Sequence, residues 1–181
     1  MTEFFIRKIT RPQKLELLPS QQGVGIIVLN QLDQILLGKQ GFKKDKLRPE
    51  AGLWNIFTET WQTPFPISTF QVKTNFWRAI DEELQRPKEE FIVIPGTYYE
   101  TNGYYIKMLG YPFFMRLIAM RWKGNPNIDP NAVFSSHDNE INKYSYFSRK
   151  ELSGLKIEHG ALQALEFYQY ILLPSRSQVF P

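Results

Sequence analysis

Hydrophobic and polar positions along the chain follow two different periods, and the points where the period changes mark its elements. "GVGIIVL", Gly23 to Leu29, is an almost unbroken apolar run of strand length, the pattern of a strand covered on both faces. "NQLDQ" follows as a turn and "ILLG", Ile35 to Gly38, returns, which predicts a hairpin. "KQGFKKDKLRPEAG" is a polar, basic loop, and loops of that length inside compact domains are often functional or disordered. "LWNIF", Leu53 to Phe57, reads as a short apolar strand, and "TETWQTPFPIS", with two prolines, reads as another loop.

From about Thr69 the period becomes helical. Phe76, Trp77, Ile80 and Leu84 make an apolar stripe, and Pro87 ends the helix near Arg86. "EFIVI", then Tyr98 to Tyr99, "YYIKMLG" and "FFMRLIAMRW" read as successive strands of an antiparallel set. A turn-rich loop, "GNPNIDPN", leads to the short element in "YSYFSRKELSGL" and to a closing amphipathic helix, "EHGALQALEFYQYILL". No repeat, low-complexity block or linker interrupts this order. The expectation is one α/β domain over residues 1–181, with a mixed sheet between a central and a C-terminal helix. Residues 1–20 form an N-terminal extension or an edge strand, at Phe4 to Ile9. "YPFFMRLIAM" suits a core or the edge of a homodimer equally.

Composition narrows the chemistry. At 181 residues the chain can bury one sizeable core, and 43% hydrophobic with 22% charged residues is ordinary for a globular protein. Aromatics reach 15%, which favours a β-rich core over an aromatic-lined pocket. There is no cysteine, so disulfides, thiolate zinc sites and cysteine nucleophiles are excluded. Only His137 and His159 are histidines, so a metal would be held by oxygen ligands, which points to Mg²⁺ or Mn²⁺. No membrane-spanning run or signal peptide is evident, and a cytoplasmic location is expected. A net charge of +4 would favour anionic ligands without marking a nucleic-acid binder.

The chemistry concentrates in "NFWRAIDEELQR", residues 75–86. Glu82 and Glu83 lie three and four positions after Ala79, so the three share a helical face. Adjacent carboxylates suit a divalent cation; they also suit a solvated face on which Arg78 and Glu82 pair at i, i+4. Asp81 points about 100° away around the helix and cannot substitute.

Arg78-Ala79-Ile80-Asp81-Glu82-Glu83 resembles the helical half of the Nudix signature, G-x5-E-x7-R-E-U-x-E-E-x-G-U, where U is a bulky aliphatic. Arg78, Ile80, Glu82 and Glu83 fit; Ala79 replaces a carboxylate, and Gln85-Arg86 replaces the closing Gly-U. "GLWNIFTETW" resembles the family's approach to a Pro-Gly-Gly turn, with Trp54 in place but Phe57, Thr58 and Glu59 where the turn belongs. The stretch from Glu59 to Arg78 is about five residues longer than the family spacing. "NEINKYSYFSRKEL" resembles a late segment in which a loop carboxylate, here Glu140, reaches the metal.

The resemblance implies an α/β/α sandwich that recognises a nucleoside-diphosphate-type ligand, with weak or altered metal-dependent pyrophosphohydrolase activity. Arg78, Glu82 and Glu83 are the implied catalytic residues, and Glu82, Glu83 and Glu140 the implied ligands of Mg²⁺ or Mn²⁺. Lys39, Arg48 and Trp54 are the implied substrate contacts. A glutamate at position 79 would complete the acidic face. With Ala79 there, a base would come from Glu140, Asp138 or Glu59. The rival expectation is a catalytically inactive Nudix fold that senses a nucleotide or binds a protein.

Other residues keep two readings. Lys39, Lys43, Lys44, Lys46 and Arg48 either contact phosphates, RNA included, or make a solvated loop. Tyr98, Tyr99, Tyr104, Tyr105 and Tyr111 either stack a base or line the sheet. His137 is a proton shuttle or a solvated loop residue, and His159 serves the packing or capping of the last helix. A small nucleotide is the expected partner; nucleic acid and membrane are not.

Overall fold

The computed structural model describes residues 22–41, 51–60, 69–97, 104–108, 111–137 and 140–166. The expected edge strand at Phe4 to Ile9, the loop bases Lys43, Lys44, Lys46 and Arg48, Asp138, Tyr98 and Tyr99 lie outside these residues. Tyr104, Tyr105 and Tyr111 are strand residues of the hairpin described below.

The predicted hairpin is β1, Gln22–Leu29, and β2, Ile35–Gln40, joined by a turn in which Asn30 Oδ1 accepts from the amides of Leu32 and Gln34. The two strands pair antiparallel only at Val28 with Leu36 and Leu29 with Ile35, then part. The "LWNIF" segment fills the fork, and this is why it is two strands where the sequence suggested one. β3, Trp54–Asn55, pairs with β2, while β4, Phe57–Thr60, pairs with the first half of β1.

Helix α1, Thr69–Leu84, ends two residues before the expected Arg86. Beyond it come β5, Phe91–Val93, and the hairpin of β6, Tyr104–Met108, with β7, Tyr111–Trp122. β7 lies parallel to β1 along that strand's whole length, which makes the sheet mixed. Its other side is paired with β6 and β5, so "YPFFMRLIAM" is an interior strand and not a dimer edge. β8, Ile141–Phe147, pairs with β2, and the short helix α2, Arg149–Leu152, and α3, residues 159–166, close the described chain.

Side-chain alternation along β1 sends its residues to two cores. Val24, Ile26 and Val28 join Val72, Phe76, Ala79, Ile80 and Leu84 of α1, with Phe57, Trp122, Phe134 and Tyr144 filling the layer. Ile27 and Leu29 join Ile35, Leu37, Ile56, Leu117 and the α3 residues Ala161, Ala164 and Leu165 on the other face. Helix, sheet and helix therefore form the expected α/β/α sandwich, and aromatic side chains among the described residues pack in both of its cores. Among the described residues no helix is long and apolar enough to cross a membrane.

Candidate functional site

The end of α1 is the part of the molecule where local preference is overruled. Glu82 and Glu83 stand in its last turn, at the negative end of the helix dipole, where carboxylates are disfavoured, and the turn itself contains no basic residue. The turn is nonetheless tightly held. Its last four carbonyls, the ones a helix leaves without partners, all accept hydrogen bonds. Asp81 O takes the Gln85 amide at 3.1 Å, Glu82 O the His137 amide at 2.9 Å, and Leu84 O the Ser135 amide at 3.5 Å. Glu83 O takes the Tyr144 hydroxyl at 2.7 Å. The backbone of the two glutamates is thus clamped by the loop before β8 and by β8 itself.

Arg78 ties this helix to the end of β4. Its guanidinium lies 2.8 Å from Glu59 Oε1, donates to Thr60 O at 2.6 Å and approaches Glu82 at 3.7 Å. Glu59 pairs in register with Val24, so it shares the α1 side of the sheet with the core beneath it, and its side chain is only 10% exposed. It also hydrogen-bonds Glu82. That bond, followed by desolvation and the Glu59 charge, raises the Glu82 pKa from 4.5 to about 7, against the opposing pull of Arg78 and His137. Two carboxylates in contact around one guanidinium hold a proton between them.

Ala79, the oddity of the signature, is fully buried in the α1-side core. Position 79 is therefore an apolar packing site, which corrects the expectation that a glutamate there would complete an open acidic face. Arg78 is the clasp of the site, engaged on three sides. Lys39 and Trp54 stand apart from the acidic turn. They pair with each other on neighbouring strands, the Lys39 ammonium 5.7 Å from the Trp54 ring, and Trp54 packs on Phe147 in the core of the α3 side. The implied substrate contacts are thus on the opposite face of the sheet from Glu59, Glu82 and Glu83, while Arg48 lies outside the described residues.

Glu140 lies just before β8, half-buried, with its carbonyl accepting from the Gly41 amide at 2.6 Å. Among the described residues no three His, Cys, Asp or Glu side chains are gathered closely enough to hold a metal ion, so Glu82, Glu83 and Glu140 do not form a three-carboxylate cage. The donor set fits a different mode of holding the ion. Mg²⁺ is commonly bound through one or two carboxylates with substrate phosphates and waters completing its shell. Hard, all-oxygen carboxylates on one turn suit that arrangement, in which the ion arrives with a phosphate ligand. His137 Nε2 lies 3.7 Å from the exposed Asp81, and His159 Nε2 is 3.3 Å from Gln163 Nε2 within α3.

Glu59 is the residue whose place sequence reasoning missed. It was a candidate base in a loop, and the structure makes it the strand-side partner of Arg78. The one available signal was its alternation with Phe57 and Asn55.

A mixed sheet forked at β1 and β2, a helix bearing an Arg-x3-Glu-Glu turn across it and a second helix behind together make the Nudix fold. Solved structures of that fold superpose over most of the chain. A C. elegans Ap4A hydrolase binary complex matches with a TM-score of 0.60 at 12% identity, over 84% of this chain and 98% of that one. The NUDIX domain of Shewanella oneidensis NrtR, in complex with ADP ribose, matches with a TM-score of 0.58 at 9% identity, over 88% of this chain and 92% of that one. A bifunctional NMN adenylyltransferase/ADP ribose pyrophosphatase from Francisella tularensis, complexed with AMP and a Mn ion, matches at 0.56 and 12% identity, over 85% of this chain and 42% of that one. No family model matches the sequence, and no characterised protein is recognisably similar to it in sequence.

Proposed function

We propose that this chain recognises a nucleoside-diphosphate-type ligand at the acidic end of α1, with metal-assisted hydrolysis of the phosphoanhydride weakened or altered. The observation that carries the reading is the clamped turn itself. Glu82 and Glu83 are held at a helix end that disfavours them, beside a Glu59 buried against Arg78, and such a local conflict is characteristic of a functional site. The ligands in the Shewanella and Francisella structures, and the Ap4A hydrolase activity in the name of the C. elegans protein, lend support to a nucleotide.

Glu82 and Glu83 would hold Mg²⁺ or Mn²⁺, with phosphates of the ligand and waters, not Glu140, completing the shell. The ion's chemistry would be to neutralise the diphosphate and polarise it toward attack. The chain's own contribution is positional. Arg78 sets the spacing of Glu59 and Glu82, and Glu59, 2.8 Å from that guanidinium, is the proposed base. With Ala79 in the core, the first of the signature's helix carboxylates is missing.

A second reading, recognition without turnover, is favoured by the charge balance: Arg78 and the shared proton already neutralise much of the Glu59–Glu82 pair. Calorimetric titration with ADP-ribose and with Ap4A, in Mn²⁺ and in EDTA, tests recognition, and phosphate-release kinetics test chemistry. Binding with turnover far below the ordinary range of ~1–10³ per second is expected. Turnover inside that range overturns the weakened chemistry, and absence of binding with or without Mn²⁺ overturns recognition.

A further inference from the structure

Asn55, Phe57 and Glu59 alternate with Ile56, which enters the α3-side core, so all three face α1. The register agrees. Asn55 pairs with Gly38, where an added Cβ would meet Ile141 of the α1-side core at 2.7 Å, and Gly38 pairs with Tyr144 on its other side. Tyr144 is the residue whose hydroxyl reaches the Glu83 carbonyl, and Tyr146 follows it on the same face. Asn55 thus lies across Gly38 from the tyrosine that touches the acidic turn, and Tyr146 lies next to that tyrosine on the same face of β8.

Both carry a buried polar atom with no hydrogen-bond partner, Asn55 Oδ1 and the Tyr146 hydroxyl. Such atoms lose their water on folding and regain nothing, so they reduce stability unless something else completes them. We propose that Asn55 and Tyr146 are contacts held for the nucleoside portion of the ligand. An amide carbonyl needs a donor. Ribose hydroxyls and base amino groups are donors, whereas ionised phosphate oxygens only accept, so Asn55 reads the nucleoside and not the diphosphate. Burial pushes the Tyr146 phenol up, which keeps its proton in place for a ribose or base acceptor.

This assignment rests on the nucleotide reading of the site. The test is calorimetric titration of the full chain with ADP-ribose and, separately, inorganic pyrophosphate, with ligand-free melting temperatures alongside. Asn55→Leu and Tyr146→Phe are each expected to weaken ADP-ribose about tenfold, roughly 1.4 kcal/mol, and to leave pyrophosphate affinity unchanged. Each should also melt higher than wild type without ligand, because an uncompensated polar atom has been removed. Tyr146→Phe deletes a single oxygen and keeps the test valid if Asn55→Leu folds poorly. Unchanged ADP-ribose affinity in a wild type that binds it overturns this assignment alone, as does a lower ligand-free melting temperature in Tyr146→Phe. Equal losses for ADP-ribose and pyrophosphate overturn the nucleoside assignment. No ADP-ribose binding by wild type overturns the site reading and this one with it.

Discussion

Gln85 follows the last residue of α1 with φ of +49°, the left-handed conformation in which side-chain-bearing residues crowd their own backbone. The Nudix signature has glycine at this place, and glycine adopts that conformation without the penalty. Gln85 recovers part of the cost through the Ser135 hydroxyl, 3.0 Å from its Oε1 on the exposed surface. Gln85→Gly is therefore expected to raise stability by about 0.5–1 kcal/mol, read as a higher urea midpoint with an unchanged slope. A lower midpoint would show that the Ser135 contact outweighs the strain. Ala79 makes the opposite case. Its neighbours on α1 are Val72, Phe76 and Ile80, all within one apolar cluster, so Ala79→Glu buries a charge in an apolar layer. Expected destabilisation is on the order of 3 kcal/mol or more. An Ala79→Glu protein as stable as wild type in urea would mean the position opens to solvent. Helical spacing correctly put 79, 82 and 83 on one side of α1. Which side faced the core depended on where the sheet lay, and spacing alone does not hold that information.

The junction of β4 and α1 is an electrostatic clasp whose strength depends on pH. Folding raises the Glu82 pKa from 4.5 to about 7, so the folded state binds a proton that the unfolded chain releases. The resulting stabilisation is complete below about 4.5 and is lost as the pH rises through 7. Glu59 is the largest cause of the shift, and Arg78 and His137 are the charged groups opposing it. Wild type should therefore lose melting temperature between these two values more steeply than Glu59→Gln, in which the like charge is gone. Parallel pH profiles for the two proteins would show that no proton is shared at the junction. This element-scale device was only half legible beforehand. The i, i+4 pair of Arg78 and Glu82 follows from helix geometry. Glu59 and Arg78 are too far apart in sequence for helix geometry to join them, and only pairing β4 with β1 decides which strand residue meets the helix.

At the scale of the whole molecule, the order of strands and helices was legible because each element must bury an apolar face, and the face is written in a period of 2 or 3.6. The run "GVGIIVL" announced a strand covered on both sides, and β1 indeed feeds two cores. The same pattern predicted a mixed sheet between two helices. What it could not predict was the fork, in which β1 and β2 part after two paired positions and one apolar segment splits into β3 and β4. Nor could it tell that "YPFFMRLIAM" would be paired on both sides, because an interior strand and a dimer edge share one hydrophobic pattern. Trp54 matched the family approach in sequence and Lys39 belonged to the candidate basic stretch, yet both stand behind the sheet, since a one-residue step along a strand reverses the face. The sequence by itself therefore determined the elements, their order and the acidic turn, all of which depend on near neighbours in the chain. Only the tertiary structure decided that Glu59 would close on Arg78 and Glu82, that Ala79 would be core, and that Asn55 and Tyr146 would be buried without partners, because those outcomes depend on register between strands distant in sequence.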